Sequence, residues 1–393
     1  MRLYLIAAIA DFVQALFIFT ATRYLAEQQP GSMSLGVLGA CNFLSYALSS
    51  TVSGHVSDRF GRRRLIASGS VVFAASVLVA LQSLDPPLVY VATMLSGVAA
   101  GMIFPPVMAM ITAGQVQGDH GRAASAPLIA FCLWWNAGVF FGQSGGGLLF
   151  GAGTQVCLVI AMVAAGMIAP LVIGLRRVEP NAAGPAESET KAPPARSATP
   201  RFFAVAGWFA NIGCAFTMSL VIFIFPKLAT SVAIPAETHG FMLGAMRLLV
   251  IGVYVLLHFT TFWRHRMWPS LASQAIAVCG LLLLAKADGV APLTAGLMLA
   301  GVMTGYVYFS GMFYSTTSFR NQRKGLASGL HEATLAIGFT GGSLGGAYIA
   351  DAMGVRAAFE VAIAVLLVFM ALQFLARVFV HGRRNAAHAA APV

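Results

Sequence analysis

Apolar runs of about twenty residues, separated by short polar breaks, recur along the whole chain. A helix needs about 20 mostly apolar residues to cross a bilayer. Twelve such runs occupy residues 3–24, 34–54, 65–84, 88–113, 125–150, 155–175, 202–225, 240–262, 269–285, 291–313, 326–350 and 357–380, with ends good to about three residues. One stretch breaks the rhythm. Residues 176–201 hold Glu179-Pro180, Gly184-Pro185, Glu187, Glu189 and Pro193-Pro194, which bury too little apolar surface to fold and read as a flexible linker. The pattern predicts an all-α membrane protein of twelve transmembrane helices in two six-helix halves. The first half is residues 1–175, the linker 176–201, and the second half 202–393, ending in a short tail. Six spans plus six spans is the outline of a two-half transporter.

Composition agrees. The chain is 58% hydrophobic and 9% charged, with a mean hydropathy of +0.81. Soluble domains carry about 25% charged residues. That excludes a soluble enzyme and a disordered chain, and a transmembrane barrel would alternate apolar and polar residues. The formal net charge of +11 has a topological origin. With the N-terminus in the cytoplasm, 19 of the 24 Lys and Arg fall in cytoplasmic loops or at inner helix ends. Arg23, Lys227, Lys286 and Arg356 fall outside, and Arg247 lies within a span. This positive-inside bias places both termini and the linker in the cytoplasm and removes nucleic acid as the reason for the basic balance. Arg outnumbers Lys 20 to 4, a bias of GC-rich bacterial genomes, so the expected location is a bacterial cytoplasmic (inner) membrane, as a multi-pass protein. The first run carries Asp11 and no small-residue cleavage site, and reads as a retained span. All five cysteines sit in spans without metal-ligand spacing. No phosphate loop or nucleophile–base arrangement is present. Neither enzyme activity, metal nor cofactor is expected.

The halves echo each other. Span five has Gly138-x3-Gly142-x2-Gly145-Gly146 and span eleven has Gly338-x3-Gly342-x2-Gly345-Gly346, offset by 200 residues. Glycines at i, i+4 and i+8 form one smooth helix stripe that lets another backbone approach. Gly138, Gly142, Gly146, Gly338, Gly342 and Gly346 are the expected packing glycines of a duplicated chain.

Between spans two and three stands Gly54-His55-Val56-Ser57-Asp58-Arg59-Phe60-Gly61-Arg62-Arg63-Arg64. It resembles the G-x-x-x-D-R-x-G-R-R signature of the major facilitator superfamily, in the loop where that family places it. With the twelve spans and the glycine echo, the resemblance covers essentially the whole chain. It implies that family's fold and transport of a small-molecule substrate by alternating access. It also implies a cytoplasmic latch against span eleven, formed here by Gly54, Asp58, Arg59, Gly61, Arg62 and Arg63. Asp58 would be held by Arg59 or Arg62, or face the positive end of a neighbouring helix. The corresponding loop of the second half, Trp263-Arg264-His265-Arg266-Met267, keeps only the charge. Two further patterns of the family's proton-driven drug antiporters are altered. Thr93 stands where they carry an Arg four residues before a Gly, and Gln143 stands where their span-five motif has Pro.

Ionisable residues within spans are costly and are functional candidates by default. Asp11 lies about eight residues into span one, roughly 12 Å deep at 1.5 Å per residue, with Gln14 on its face. Arg247 lies in span eight, and the resemblance implies that this span faces span five, with Gln143 or Asn136 as the partner of Arg247. His331 and Glu332 open span eleven; Asp351 and Glu360 sit near span ends and read as interfacial. The substrate and proton pathway is therefore expected among Asp11, Gln14, Asn136, Gln143, Arg247 and Glu332. The expected function is secondary transport of a small organic solute as proton-coupled efflux by a monomer in the lipid bilayer. Proton symport, uniport, and a membrane sensor or scaffold without transport are the alternatives.

Overall fold

A computed structural model describes residues 1–28, 31–112, 122–175, 201–317 and 324–389, with the side chains at 54, 55, 58, 112, 122–125, 201, 316–317, 324–329 and 379–389 undescribed. The linker expected at 176–200 lies outside the described residues. Helices α1 (Arg2–Gln28), α2 (Met33–Phe60), α3 (Arg62–Gln82), α4 (Leu88–Thr112), α5 (Arg122–Phe150) and α6 (Thr154–Ile173) form the first half. The second half comprises α7 (Arg201–Ser219), a π-helical turn (Leu220–Ile224), α8 (Phe225–Ser231), α9 (Ala236–Phe259), α10 (Trp268–Lys286), α11 (Val290–Thr317), α12 (Lys324–Met353) and α13 (Val355–Ala389). The π turn joins α7 to α8 as one apolar segment, Phe202–Ser231, so the second half also has six spans. Among the described residues, ten segments are long and apolar enough to cross a membrane. The other two, α5 and α12, are the glycine-rich pair, whose glycines and polar residues lower their hydropathy.

The surface is apolar, and the interior holds polar side chains within an apolar core. Val71 on α3, Val159 and Val163 on α6, and Val368 and Phe374 on α13 are exposed, whereas Asn42, Ser96, Asn136, Gln143, Asn211, Gln274 and Gln373 are buried. In water this arrangement would waste apolar surface; in lipid it puts each kind of side chain in its preferred surroundings. The chain is a multi-pass integral membrane protein of all-α fold. The side on which α1 begins is called here the N-terminal face, and the other the far face.

The glycine stripes have specific partners. A Cβ at Gly142 would stand 2.7 Å from both Phe12 O and Ala15 Cβ of α1. A Cβ at Gly342 would stand 2.5 Å from Phe216 O and 2.8 Å from Ser219 Cβ of α7. Phe12 and Phe216, like Ala15 and Ser219, are 204 positions apart. Gly97 of α4 meets Asn42 and Tyr46 of α2, and Gly301 of α11 meets Met246 and Val250 of α9, again 204 apart in each case. The two halves are thus one packing scheme used twice. Nearer the far face the scheme diverges at the π turn: Gly146 packs on Phe19, and Gly346 on Leu220 and Ile224, the first and last residues of that turn.

Two antiparallel helix crossings join the halves. Along α2 and α12, Ser32 faces Asp351, Gly36 faces Ser343 and Ala347, Phe43 stacks on Phe339 at 3.8 Å, and Tyr46 reaches Glu332. Along α5 and α9, Gly147 meets Gly240, and Gln143 meets Arg247. Both seams run from the far face to mid-depth. At the far face two helix ends are held across the gap. Asp351 accepts N–H bonds from Ser32 (2.5 Å) and Met33 (3.0 Å) at the start of α2. Lys227 of α8 donates to Ala26 O near the end of α1 at 3.1 Å. An anion at a helix N-terminus and a cation at a C-terminus each complement the helix dipole. Asp351 is therefore a tie between the halves as well as a span-end residue. Glu360, expected at an interface, pairs with Lys286.

The signature segment differs from the expected loop. Residues up to Phe60 are helical within α2, and the break is Gly61 alone, at φ +87° with its N–H bonded to Ser57 O at 3.0 Å. That φ suits glycine and strains other residues, and it lets α3 start at Arg62.

Candidate functional site

Three ionisable side chains from both halves converge at mid-depth. Asp11 comes from α1, Arg247 from α9 and Glu332 from α12. Asp11 and Arg247 are buried, and Glu332 is partly so. Arg247 donates from Nε to Gln143 Oε1 at 3.3 Å. Asp11 acts on Arg247 electrostatically, yet no ion pair joins them among the described residues. The Trp135 indole lies within hydrogen-bonding reach of Asp11. Glu332 accepts from the Tyr46 hydroxyl at 3.2 Å.

Aromatic rings connect the two acids. Trp135 of α5 and Tyr308 of α11 have ring centroids 4.9 Å apart, and Tyr308 lies 5.7 Å from His331. Trp135 and Tyr308 belong to opposite halves, so they form a side wall between them. Several buried polar atoms here have no hydrogen-bond partner among the described residues: Asp11 Oδ2, Asn136 Oδ1, Tyr254 Oη and both His331 ring nitrogens. Buried polar groups are normally satisfied, and exceptions call for an explanation such as a bound molecule.

Of the other expected pathway residues, Asn136 donates Nδ2 to Cys132 O within its own helix at 2.9 Å. Gln14 bonds to α4. Its Oε1 accepts from Ser96 Oγ at 2.7 Å, and Ser96 Oγ in turn accepts from Asn42 at 3.3 Å, so Gln14 belongs to the packing of α1, α2 and α4. Trp135 and Tyr308 stand in aromatic-dense stretches of spans five and ten, some of whose rings could line a cavity for an organic solute, whereas nothing in the sequence marks Tyr46 and Tyr254. All four lie on separate helices that only the fold brings together.

At the N-terminal face the signature arginines serve their own half. Arg62 donates to Ala109 O of α4 at 3.4 Å, and Arg63 to Val172 O and Ile173 O of α6 at 3.3 and 2.8 Å. Each cation covers carbonyls at a helix C-terminus. Arg59 is exposed, and the side chains of Gly54 and Asp58 lie outside the described set. The corresponding segment of the second half is held by rings. Trp263 is fully buried and donates to Leu257 O and Thr260 O. Arg264 lies 5.5 Å over the rings of Trp263 and Phe313, and Tyr314 Oη accepts from His265 N at 2.8 Å. Burial, and next the neighbouring Arg264 charge, hold the His265 imidazole below its ordinary pKa. In sequence only the charge of this segment stands out, because burial of Trp263 depends on α11 packing beside it.

This architecture recurs among solved transporters. A bacterial homolog of the human lysosomal transporter Spinster, in an inward-facing and occupied conformation, superposes with a TM-score of 0.76 at 12% identity, over 96% of this chain and 95% of that one. The nucleoside transporter NupG superposes with a TM-score of 0.68 at 12% identity, over 95% of this chain and 98% of that one. By sequence, 136 residues are 27% identical to Multidrug resistance protein 2 of Bacillus subtilis (strain 168), covering 34% of this chain and 33% of that relative. The model of the Major Facilitator Superfamily matches residues 3–291. Twelve spans in two like halves, seams that reach mid-depth and a family match over most of the chain lead to one assignment: the chain belongs to the Major Facilitator Superfamily of secondary transporters.

Proposed function

We propose that this transporter exports a small organic solute in exchange for protons, as a monomer in a bacterial cytoplasmic membrane. In this reading both termini and the linker are cytoplasmic, so the N-terminal face is the inner one. The observation that carries the proposal is the convergence of Asp11, Arg247 and Glu332 from both halves, beside seams that must part if the site is to open to the far face. A carboxylate that is neutral at one stage of a cycle and ionised at another carries a proton. Asp11, with a buried unpartnered oxygen, is the first candidate and Glu332 the second. The partial match to Multidrug resistance protein 2 supports the efflux direction.

The test is flux in proteoliposomes, using solutes that stabilise the purified protein, with and without an imposed pH gradient. Asp11→Asn should abolish gradient-driven accumulation and leave solute exchange intact, because exchange needs no net proton transfer. Glu332→Gln should have the smaller effect. If neither change alters the response to the gradient, the proton-coupled reading falls and uniport replaces it. Reporter fusions at Pro200 and Val393 test the orientation, and activity of either only in the periplasm overturns it.

A further inference from the structure

We propose that the mid-depth site recognises an organic anion, with a carboxylate of the solute bound to the terminal nitrogens of Arg247 and its flat body against Trp135 and Tyr308. This rests on the reading of the site as the transport site and names its substrate class.

The charges of the site are unevenly served. Glu332 has the Tyr46 hydroxyl, and Asp11 has the Trp135 indole within reach. Among the described residues Arg247 has one hydrogen-bond partner, the neutral Gln143 on Nε, and Asp11 acts on it electrostatically without forming an ion pair. No hydrogen bond among the described residues reaches its two terminal nitrogens. These two nitrogens are the fork that binds a carboxylate in bidentate fashion.

The fold does not require a cation here. The position of the first half equivalent to Arg247 is Phe43, 204 positions earlier, and it builds the matching seam by stacking on Phe339 at 3.8 Å. The same crossing is therefore held without charge in one half. In the other half it carries a guanidinium, which is costly to bury unless its donors are used. A carboxylate supplies the missing acceptors. The unpartnered acceptors Asp11 Oδ2 and Asn136 Oδ1 further call for a hydrogen-bond donor elsewhere on the same solute. The Trp135–Tyr308 wall suits a planar ring that carries one.

Three probes share one ring and differ in charge: indole-3-acetate, indole-3-acetamide and tryptamine. Thermal stabilisation of the purified full-length protein is titrated with each. Indole-3-acetate should stabilise at least about tenfold more tightly than the amide, since a charge-assisted bidentate pair is lost in the latter. Gln143→Glu places a carboxylate against Arg247 and should abolish acetate binding while the unliganded protein melts as wild type. Arg247→Lys should retain weaker binding, and Arg247→Gln none. Equal binding of acetate and amide, or preference for tryptamine, overturns the proposal and makes the acids the recognition groups. Failure of all three, together with a panel of other aromatic carboxylates, overturns it as well. Binding does not depend on transport. Acetate binding without flux would remove the transporter reading and leave the anion site, and flux of amines without carboxylate binding would do the reverse.

Discussion

Replacing glycine by alanine should have opposite signs at positions three residues apart. At Gly142 the added Cβ would lie 2.7 Å from Ala15 Cβ and from Phe12 O, and at Gly342 it would lie 2.5 Å from Phe216 O. Ordinary contact begins near 3.4 Å. α1 must therefore move from α5, and α7 from α12, by most of an ångström. Overpacking costs about 1–3 kcal/mol. Alanine in a helix interior offsets about 0.8–1.0 kcal/mol of that relative to glycine. The net expectation is a loss of up to about 2 kcal/mol at each site. At Gly145 and Gly345 nothing lies within 4 Å of the added carbon, so only propensity acts, and a gain of up to about 1 kcal/mol is expected. The assay is the unfolding midpoint of four single Ala variants in one detergent. Gly142 and Gly342 should fall below wild type, and Gly145 and Gly345 should match or exceed it. Four shifts of one sign would refute the packing argument, as would Gly142→Leu with wild-type expression and midpoint.

Other outcomes follow from the described contacts and, for Asp58, from the sequence signature alone. Asp351→Asn removes the anion from the start of α2 and should weaken far-face closure by about 0.3–2 kcal/mol, read as a longer spin-label distance between α2 and α12; an unchanged distance distribution would show the tie is not needed. Arg63→Met should lower the unfolding midpoint by the equivalent of about 1 kcal/mol by uncovering the α6 carbonyls, with an unchanged midpoint as the contrary result. Asp58→Asn should keep the fold and impair flux, and unchanged flux would leave the signature as an orientation signal only. His265 is held below its ordinary pKa, so the unfolded loop binds a proton more readily than the folded one. Its contribution is present above the ordinary histidine range and fades as pH falls through that range, so the protection factor of the His265 amide, its exchange rate relative to the intrinsic rate at each pH, should fall there; a constant protection factor would show that the histidine carries no linkage.

The twelve spans and the duplication were legible because bilayer crossing and glycine stripes are local, periodic properties. Residues 138, 142 and 146 mark a close approach by themselves. That the approaching helix is α1 follows only from packing. The pairing of Arg247 with Gln143 was accessible from the positions of spans five and eight in the family. The engagement of Gln14 by Ser96 was not, because it depends on the rotation of α4. Asp351 read as a span-end residue since nothing local distinguishes a carboxylate facing water from one facing a helix start on the other half. The helical course of the signature up to Phe60 was hidden for a related reason. Polar residues that look like a loop in sequence continue a helix where it leaves the bilayer.

The doubled frame carries single-copy chemistry, and this fixes a stoichiometry. Asp11 corresponds to Ala215, Arg247 to Phe43, Gln143 to Ser343, Glu332 to Cys132 and Trp135 to Leu335. A pocket with true twofold character would accept a solute and its rotated image alike, or two copies side by side. Here the rotated image would set its anion against Phe43 and its donor against Ala215. The occupant has one orientation, and saturation binding should level off at one molecule per chain.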